Sequence, residues 1–219
     1  MAVEIEVVDA NNPEPQILRR AAWLISRGEV VVCPTDTGYA LAANALEPEA
    51  VTKVFNLKGR SYSNPIHVAV SSMEAAEKYA CINKTAEHLA HYFLPGALTL
   101  VLPKKEIIPS LLVAGRNTVG IRIPDNRVIL ELSAMTNLPL TATSANTSGQ
   151  PTPYDTKEVV QQLGEAIKQI ALVLDQGPLV PSGTSTIVDL SVKPPQILRH
   201  GRISEQELLK ILHMGQTLQ

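Results

Sequence analysis

Apolar positions along this chain change several times from helical to extended spacing. Between Pro13 and Arg27 the residues Ile17, Ala21, Leu24 and Ile25 recur every three or four positions, and Gly28 follows where a helix C-cap belongs. Glu29 to Cys33 is built on consecutive valines and predicts a short buried strand closed by Pro34. From Glu47 to Leu57, Val51, Val54 and Phe55 share one helical face. Ile66 to Val70 predicts another strand, and Ser71 with Glu74 spells the Ser-x-x-Glu capping box of a helix that follows. Further strands are predicted at Leu98–Leu102, Thr118–Ile123, Leu138–Ser144, Ala171–Asp175, Thr186–Leu190 and Gln196–Arg199. Helices are predicted around Arg127–Met135, Asp155–Lys168 and Ser204–His213. Alternation of helix and strand gives an α/β class but leaves the strand order open. The 16 prolines are spread among element ends rather than gathered in a linker, so residues 1–219 are expected to form a single domain.

Composition narrows the class. A chain of 219 residues with 45% hydrophobic and 18% charged residues can bury a sizeable core, as a soluble globular enzyme does. A net charge of −2 argues against general attraction to nucleic acid while leaving room for a local basic pocket. Cys33 and Cys81 form no CxxC pair, which suggests neither a disulfide framework nor a zinc site, and Cys33 reads as a small buried hydrophobe. No apolar run approaches membrane-spanning length, and the acidic N-terminus does not resemble a signal peptide. A cytoplasmic protein is therefore expected. His88 and His91 lie three apart on a helix, but no third ligand matches them, so a solvated face is expected and no metal site. No GxxxxGK[ST] occurs, which removes a Walker-type NTPase.

Several short stretches carry chemistry. Lys58-Gly59-Arg60 places two cations around a glycine, which suits a phosphate chain because charge attracts it and the missing Cβ lets main-chain N–H groups approach. Ser144-Ala145-Asn146 puts a hydroxyl and an amide where an apolar strand ends, supplying neutral donors. Thr35 follows a strand at the end where open α/β sheets bind ligands. His67 interrupts an otherwise apolar strand. Arg122 alternates with Ile121 and Ile123, so its fork faces either solvent or a cleft, and it is suited to a carboxylate.

These stretches stand in company with Pro34-Thr35-Asp36-Thr37-Gly38-Tyr39-Ala40-Leu41, Ser63-Asn64-Pro65-Ile66-His67-Val68 and Pro95-Gly96-Ala97-Leu98-Thr99-Leu100. Val119-Gly120-Ile121-Arg122-Ile123-Pro124, Thr141-Ala142-Thr143-Ser144-Ala145-Asn146 and Gly183-Thr184-Ser185-Thr186-Ile187-Val188-Asp189 follow in order. The ordered set resembles the YrdC-like family from about residue 15 to about residue 203. That resemblance implies a twisted mixed sheet flanked by helices, with a large concave cleft. It also implies a nucleotidyltransferase that makes threonylcarbamoyl-adenylate and pyrophosphate from L-threonine, bicarbonate and ATP, for the threonylcarbamoyladenosine modification of tRNA.

By the same resemblance Lys58 and Arg60 are the catalytic pair, and Lys58, Arg60, Thr118, Ser144, Asn146 and Arg199 hold the nucleotide. Thr35, His67, Arg122, Thr143 and Ser185 hold threonine. Mg²⁺ is expected with ATP and no organic cofactor is. Contact with tRNA and hand-over to threonylcarbamoyl transferase proteins are implied as well. The length suggests the short form of the family, without the extra C-terminal domain of the long form. Two other readings stay open. One is a non-catalytic module binding double-stranded RNA or tRNA, against which the 4% aromatic content weighs. The other is a YciO-like paralogue, which the Gly38 and Ala40 spelling favours.

Overall fold

The structure, a computed structural model, describes residues 3–216. Its strands are β1 (Ile5–Val7), β2 (Val31–Thr35), β3 (Gly38–Ala42), β4 (His67–Ala69), β5 (Leu98–Pro103), β6 (Thr118–Arg122), β7 (Leu140–Ser144), β8 (Leu172–Asp175), β9 (Thr186–Asp189) and β10 (Gln196–Arg199). The helices are α1 (Pro15–Ser26), α2 (Pro48–Lys58), α3 (Met73–Ala76), α4 (Lys84–Phe93), α5 (Arg127–Thr136), α6 (Thr156–Leu163) and α7 (Glu205–Gln216). All ten strands join one mixed sheet in the order β1-β8-β2-β3-β7-β4-β6-β5-β9-β10.

Local chemistry sets the helix ends. Prolines open α1 and α2, where a missing N–H costs nothing, and Gly59 caps α2 in the left-handed region at φ 56°. Side chains of Asn83, Asn126 and Asp155 accept backbone N–H groups at the starts of α4, α5 and α6.

The two ends of the sheet are covered differently, and this makes the site. Around β2, alternation sends Val31 and Cys33 to one face, where they pack with Leu18, Ala21 and Ile25 of α1 and Val128, Ile129 and Leu132 of α5. Val30 and Val32 go to the other face, with Val51, Val54 and Phe55 of α2. At the opposite end, Leu98, Leu100, Val119, Ile121 and Val188 enter the core with Leu89 of α4. The alternate residues of those strands, Thr99, Gly120, Arg122 and Asp189 among them, line open cavities instead of a second helical layer.

Differences from the sequence expectation have physical causes. β1 and β3 were not expected. β1 is three residues long with Ile5 and Val7 exposed, and it exists through parallel pairing with β8. β3 is made mostly of small residues, and it forms because it pairs residue for residue with β2. Pro34 lies inside β2 rather than closing it. β8 pairs with β2 only at Val31 and Val32, so no ladder bond is demanded of Pro34 on that side. The helix expected at Asp155–Lys168 stops at Leu163 and continues as a 3-10 turn over Gly164–Gln169. Ser72, not Ser71, caps α3, accepting from the Ala75 N–H at 3.0 Å. His88 is half-buried rather than solvated, its Nε2 meeting the Ile211 carbonyl of α7 at 3.1 Å, whereas His91 is exposed. Cys33 is fully buried, and burial pushes its thiol up to about 12. Among the described residues no helix is long and apolar enough to cross a membrane.

Gly38 shows how tightly the β2–β3 hairpin is wedged. Its φ is +117°, and a Cβ there would sit 2.4 Å from Thr152 Cγ2 and 2.9 Å from the Pro153 carbonyl oxygen. Gly38→Ala is therefore expected to lower stability by about 1–3 kcal/mol, visible as a clear fall in Tm in thermal unfolding. An unshifted melt would mean that the 152–153 loop yields freely.

Candidate active site

One cavity opens where the uncovered sheet face meets the β2–β3 hairpin and the loop after β7. Eight of the residues singled out from sequence line it together: Thr35, Arg60, His67, Arg122, Thr143, Ser144, Ser185 and Arg199. Thr118 lines a neighbouring cavity, which shares Pro65, Ile66 and His67 with the first. Lys58 and Asn146 are not in the lining and sit behind the wall that Ser144 presents.

Three guanidiniums dominate the cavity. Arg122, on β6, is 7% exposed. Its Nε donates to the Gly96 carbonyl at 3.2 Å, Nη1 to Thr37 Oγ1 at 2.5 Å and Nη2 to Asp36 Oδ1 at 2.6 Å. The other oxygen of Asp36 is buried without a hydrogen-bond partner. Arg60 is held by the carbonyls of Asn64 at 3.0 Å and Pro65 at 2.9 Å. Arg199 donates Nε and Nη2 to the Ser185 carbonyl at 3.0 and 2.8 Å, and Nη2 also reaches Ser185 Oγ at 2.8 Å. A bulge between Ile197 and Arg199 sets that last residue opposite Ile187, and such bulges re-aim the side chains they carry.

The charges feel one another. Burial lowers the pKa of Arg60. It also lowers that of Arg199, with Arg122 and Arg60 adding repulsion. For Arg122, burial acts downward and Asp36 opposes it. An arginine stays charged through such shifts, so the cavity is cationic. His67 feels the same field. Burial, then Arg199, Arg60, Arg122 and Arg116, hold its imidazole down at about 3, so it is neutral near pH 7. Its ring presses on the bare Cα of Gly120, where a Cβ would lie 2.5 Å from His67 Cδ2.

Lys58 ends α2 at 2% exposure. Its Nζ donates to the Ser144 carbonyl at 2.5 Å, the Asn146 carbonyl at 2.9 Å and Asn146 Oδ1 at 2.7 Å. Burial first and Arg60 second lower its ammonium to about 7. Asn146 is saturated too, since Oδ1 also accepts from Ser144 Oγ at 2.6 Å and Nδ2 donates to the carbonyls of Gln150 and Pro151. Thr35 is 5% exposed, and its hydroxyl closes its own hairpin by donating to the Gly38 carbonyl at 2.6 Å.

Sequence reasoning did not single out Asp36, Thr37 or Thr99. The first two brace Arg122 across 85 or more positions, a relation that no local pattern carries. Thr99, bonded to Ser185 Oγ at 2.9 Å, was signalled only as a lone hydroxyl in the apolar run of β5. Among the described residues no three His, Cys, Asp or Glu side chains are grouped to hold a metal ion.

Residues 23–201 match the family described as Telomere recombination (Sua5/YciO/YrdC). The chain belongs to this family. A threonylcarbamoyl-AMP synthase of Pyrococcus abyssi is 38% identical over 196 residues, covering 89% of this chain and 57% of that protein. A relative from Methanocaldococcus jannaschii is 37% identical over 207 residues, covering 94% of this chain and 96% of its own length. The crystal structure of P. abyssi Sua5 complexed with L-threonine superposes with a TM-score of 0.89 at 38% identity, over 94% of this chain and 60% of that one. The chain thus spans less than two thirds of the P. abyssi protein. The YrdC-like sheet implied by the motif blocks is the fold of the Sua5/YciO/YrdC family, and the cavity lies on its uncovered face.

Neutral His67 has a consequence for acid stability. Between pH 6.5, the ordinary value, and about 3 the unfolded chain binds a proton that the folded chain refuses. Stability present above pH 6.5 is therefore lost as pH falls through that window. His67→Gln is expected to show a shallower loss of unfolding free energy between pH 7 and pH 4 than the wild type does, measured by denaturant titration. Equal slopes would show that His67 is not held neutral.

Proposed function

We propose that this chain is an L-threonylcarbamoyladenylate synthase, joining L-threonine, bicarbonate and ATP into threonylcarbamoyl-AMP with release of pyrophosphate. The observation that carries the reading is the gathering of Arg60, Arg122 and Arg199 with neutral hydroxyls around one cavity. Among the described residues Asp36 is the one carboxylate hydrogen-bonded to any of the three. Such a cavity attracts anions, and the reaction brings three: a nucleotide triphosphate, bicarbonate and an amino acid carboxylate. The name of the P. abyssi relative and the threonine complex of its Sua5 structure support the same reading.

In this reaction the threonine amine bonds to the carbon of bicarbonate and water leaves, giving a carbamate. A carbamate oxygen then bonds to the α-phosphorus of ATP, and the bond to the pyrophosphate oxygen breaks. Catalysis of this kind is chiefly positioning and charge stabilisation. Arg122, Thr35, His67, Thr143 and Ser185 hold threonine. Neutral His67 contributes a hydrogen bond without adding to the crowd of cations. Arg60, Ser144 and Arg199 hold the nucleotide, with Thr118 reached through the neighbouring cavity, while Lys58 and Asn146 serve this half from behind its wall. Mg²⁺ bound with ATP as part of the substrate would supply charge neutralisation for the pyrophosphate, beside Arg60 and Arg199. The product feeds threonylcarbamoylation of tRNA by separate transferase proteins in the cytoplasm, with direct tRNA contact as a part of the same proposal.

Pyrophosphate release from ATP is expected to need both threonine and bicarbonate. Full-rate release with ATP alone would sink the reading. No release with any amino acid would favour the YciO-like or RNA-binding alternatives. Arg122→Lys keeps the charge but loses the planar fork, so threonine binding is expected to weaken by roughly 1–3 kcal/mol while ATP binding holds. Calorimetric titration of each ligand checks this, and the opposite pattern would move Arg122 to the nucleotide half.

A further inference from the structure

We infer that Lys58 is a positioning residue: its ammonium pins the Ser144–Asn146 turn so that Ser144 faces the ligand, and it does not itself grip phosphate. The inference deepens the synthase reading and rests on it for what Ser144 meets. In its charged form Lys58 has three N–H donors, and the Ser144 carbonyl, the Asn146 carbonyl and Asn146 Oδ1 take all three, three oxygens that favour that form against the burial opposing it. The main chain of Lys58 holds the same turn, because its carbonyl accepts from the Ser148 N–H at 2.8 Å. Both ends of one residue thus tie the end of α2 to the segment after β7.

The arrangement also explains how Ser144 can change partners. In the free protein Ser144 Oγ gives its proton to Asn146 Oδ1 at 2.6 Å. An arriving phosphate oxygen would draw that proton away. Asn146 Oδ1 is not orphaned when this happens, since Lys58 Nζ stays on it at 2.7 Å. Swinging Lys58 into the cavity instead would strip that oxygen and the Asn146 carbonyl of their bonds to a charged donor. Gly59 then turns the chain in the left-handed region, and Arg60, the second cation of Lys-Gly-Arg, does line the cavity. One cation of the motif builds the wall and the other faces the ligand.

Two measurements test this on the whole chain. Reductive methylation with formaldehyde and borohydride in the absence of nucleotide, with sites located by mass spectrometry, reads whether Lys58 is committed. Methylation at least ten times slower than at exposed Lys157 is expected, with ATP adding little further protection. Labelling as fast as at Lys157, blocked by ATP, would overturn the inference whatever the enzyme's activity proves to be. Calorimetry then follows ATP binding in Lys58→Met, Asn146→Ala and the double variant. Each single change is expected to weaken ATP by roughly tenfold, as for loss of a hydrogen bond to a charged group. The double variant should lose no more than the worse single one, with threonine affinity unmoved. Losses that multiply would make Lys58 an independent phosphate ligand and refute the pin. A wild-type protein that binds no ATP would instead refute the nucleotide reading, leaving the labelling result to decide the pin. If Lys58→Met does not fold, Asn146→Ala set against Asn146→Ala/Ser144→Ala carries the comparison, since a turn already released should make loss of Ser144 Oγ silent.

Discussion

Three guanidiniums held around one cavity repel each other, and the site depends on how that repulsion is contained. Carboxylate partners for all three would relieve it and would also cancel the charge that draws an anionic ligand. Among the described residues a carboxylate is used once, for Arg122, the most buried of the three. Arg60 and Arg199 are steered mainly by backbone carbonyls, which fix direction while leaving net charge in place. His67 completes the balance by staying neutral under the same field. Hydroxyls from Thr35, Thr99 and Ser185 supply the remaining hydrogen-bonding capacity at no electrostatic cost.

Such a cluster needs a platform whose two faces differ, and β-alternation provides it. On β6 the residues Val119 and Ile121 are core, whereas Thr118, Gly120 and Arg122 face the cavities. Gly120 has to be bare because the ring of His67 occupies the space of its side chain. On the far side the bulge in β10 lets the chain deliver Arg199 next to Ser185 rather than leaving Leu198 at that register position. Charge placement at the site is thus a consequence of strand register.

How much of this could be read from the residues differs by element. Valine runs and helical apolar spacing located most strands and helices, because those patterns report burial directly. β3 was opaque, since in Gly38-Tyr39-Ala40-Leu41-Ala42 only Tyr39 and Leu41 are large enough to signal a buried face, and Gly38, Ala40 and Ala42 between them are too small to mark the other. The family was legible in the ordered motif blocks, and most of the named side chains do meet in one cavity. Orientation was less legible. Lys58 and Arg60 look equivalent as letters two apart, and so do Ser144 and Asn146, yet in each pair one side chain lines the cavity and one is spent inside the protein.

The separation of those pairs comes from a single helix end. A helix that ran on past Lys58 would carry both cations on one continuing spiral, 200° apart at the 100° per residue of an α-helix. Termination at Gly59 breaks that relation, and the last helical side chain is left to interact with whatever packs against the C-terminus of α2. What packs there is the turn after β7, rich in carbonyl oxygens and in need of donors. Lysine suits that position because its three donors are unconstrained by a plane, whereas an arginine fork would satisfy acceptors lying in one plane. Arginine suits the position after the glycine, where two bonds to carbonyls anchor one edge of the Arg60 guanidinium and the rest of a permanently charged plane remains for a ligand. The order Lys-Gly-Arg is therefore not interchangeable with Arg-Gly-Lys on this fold, although both carry the same charge.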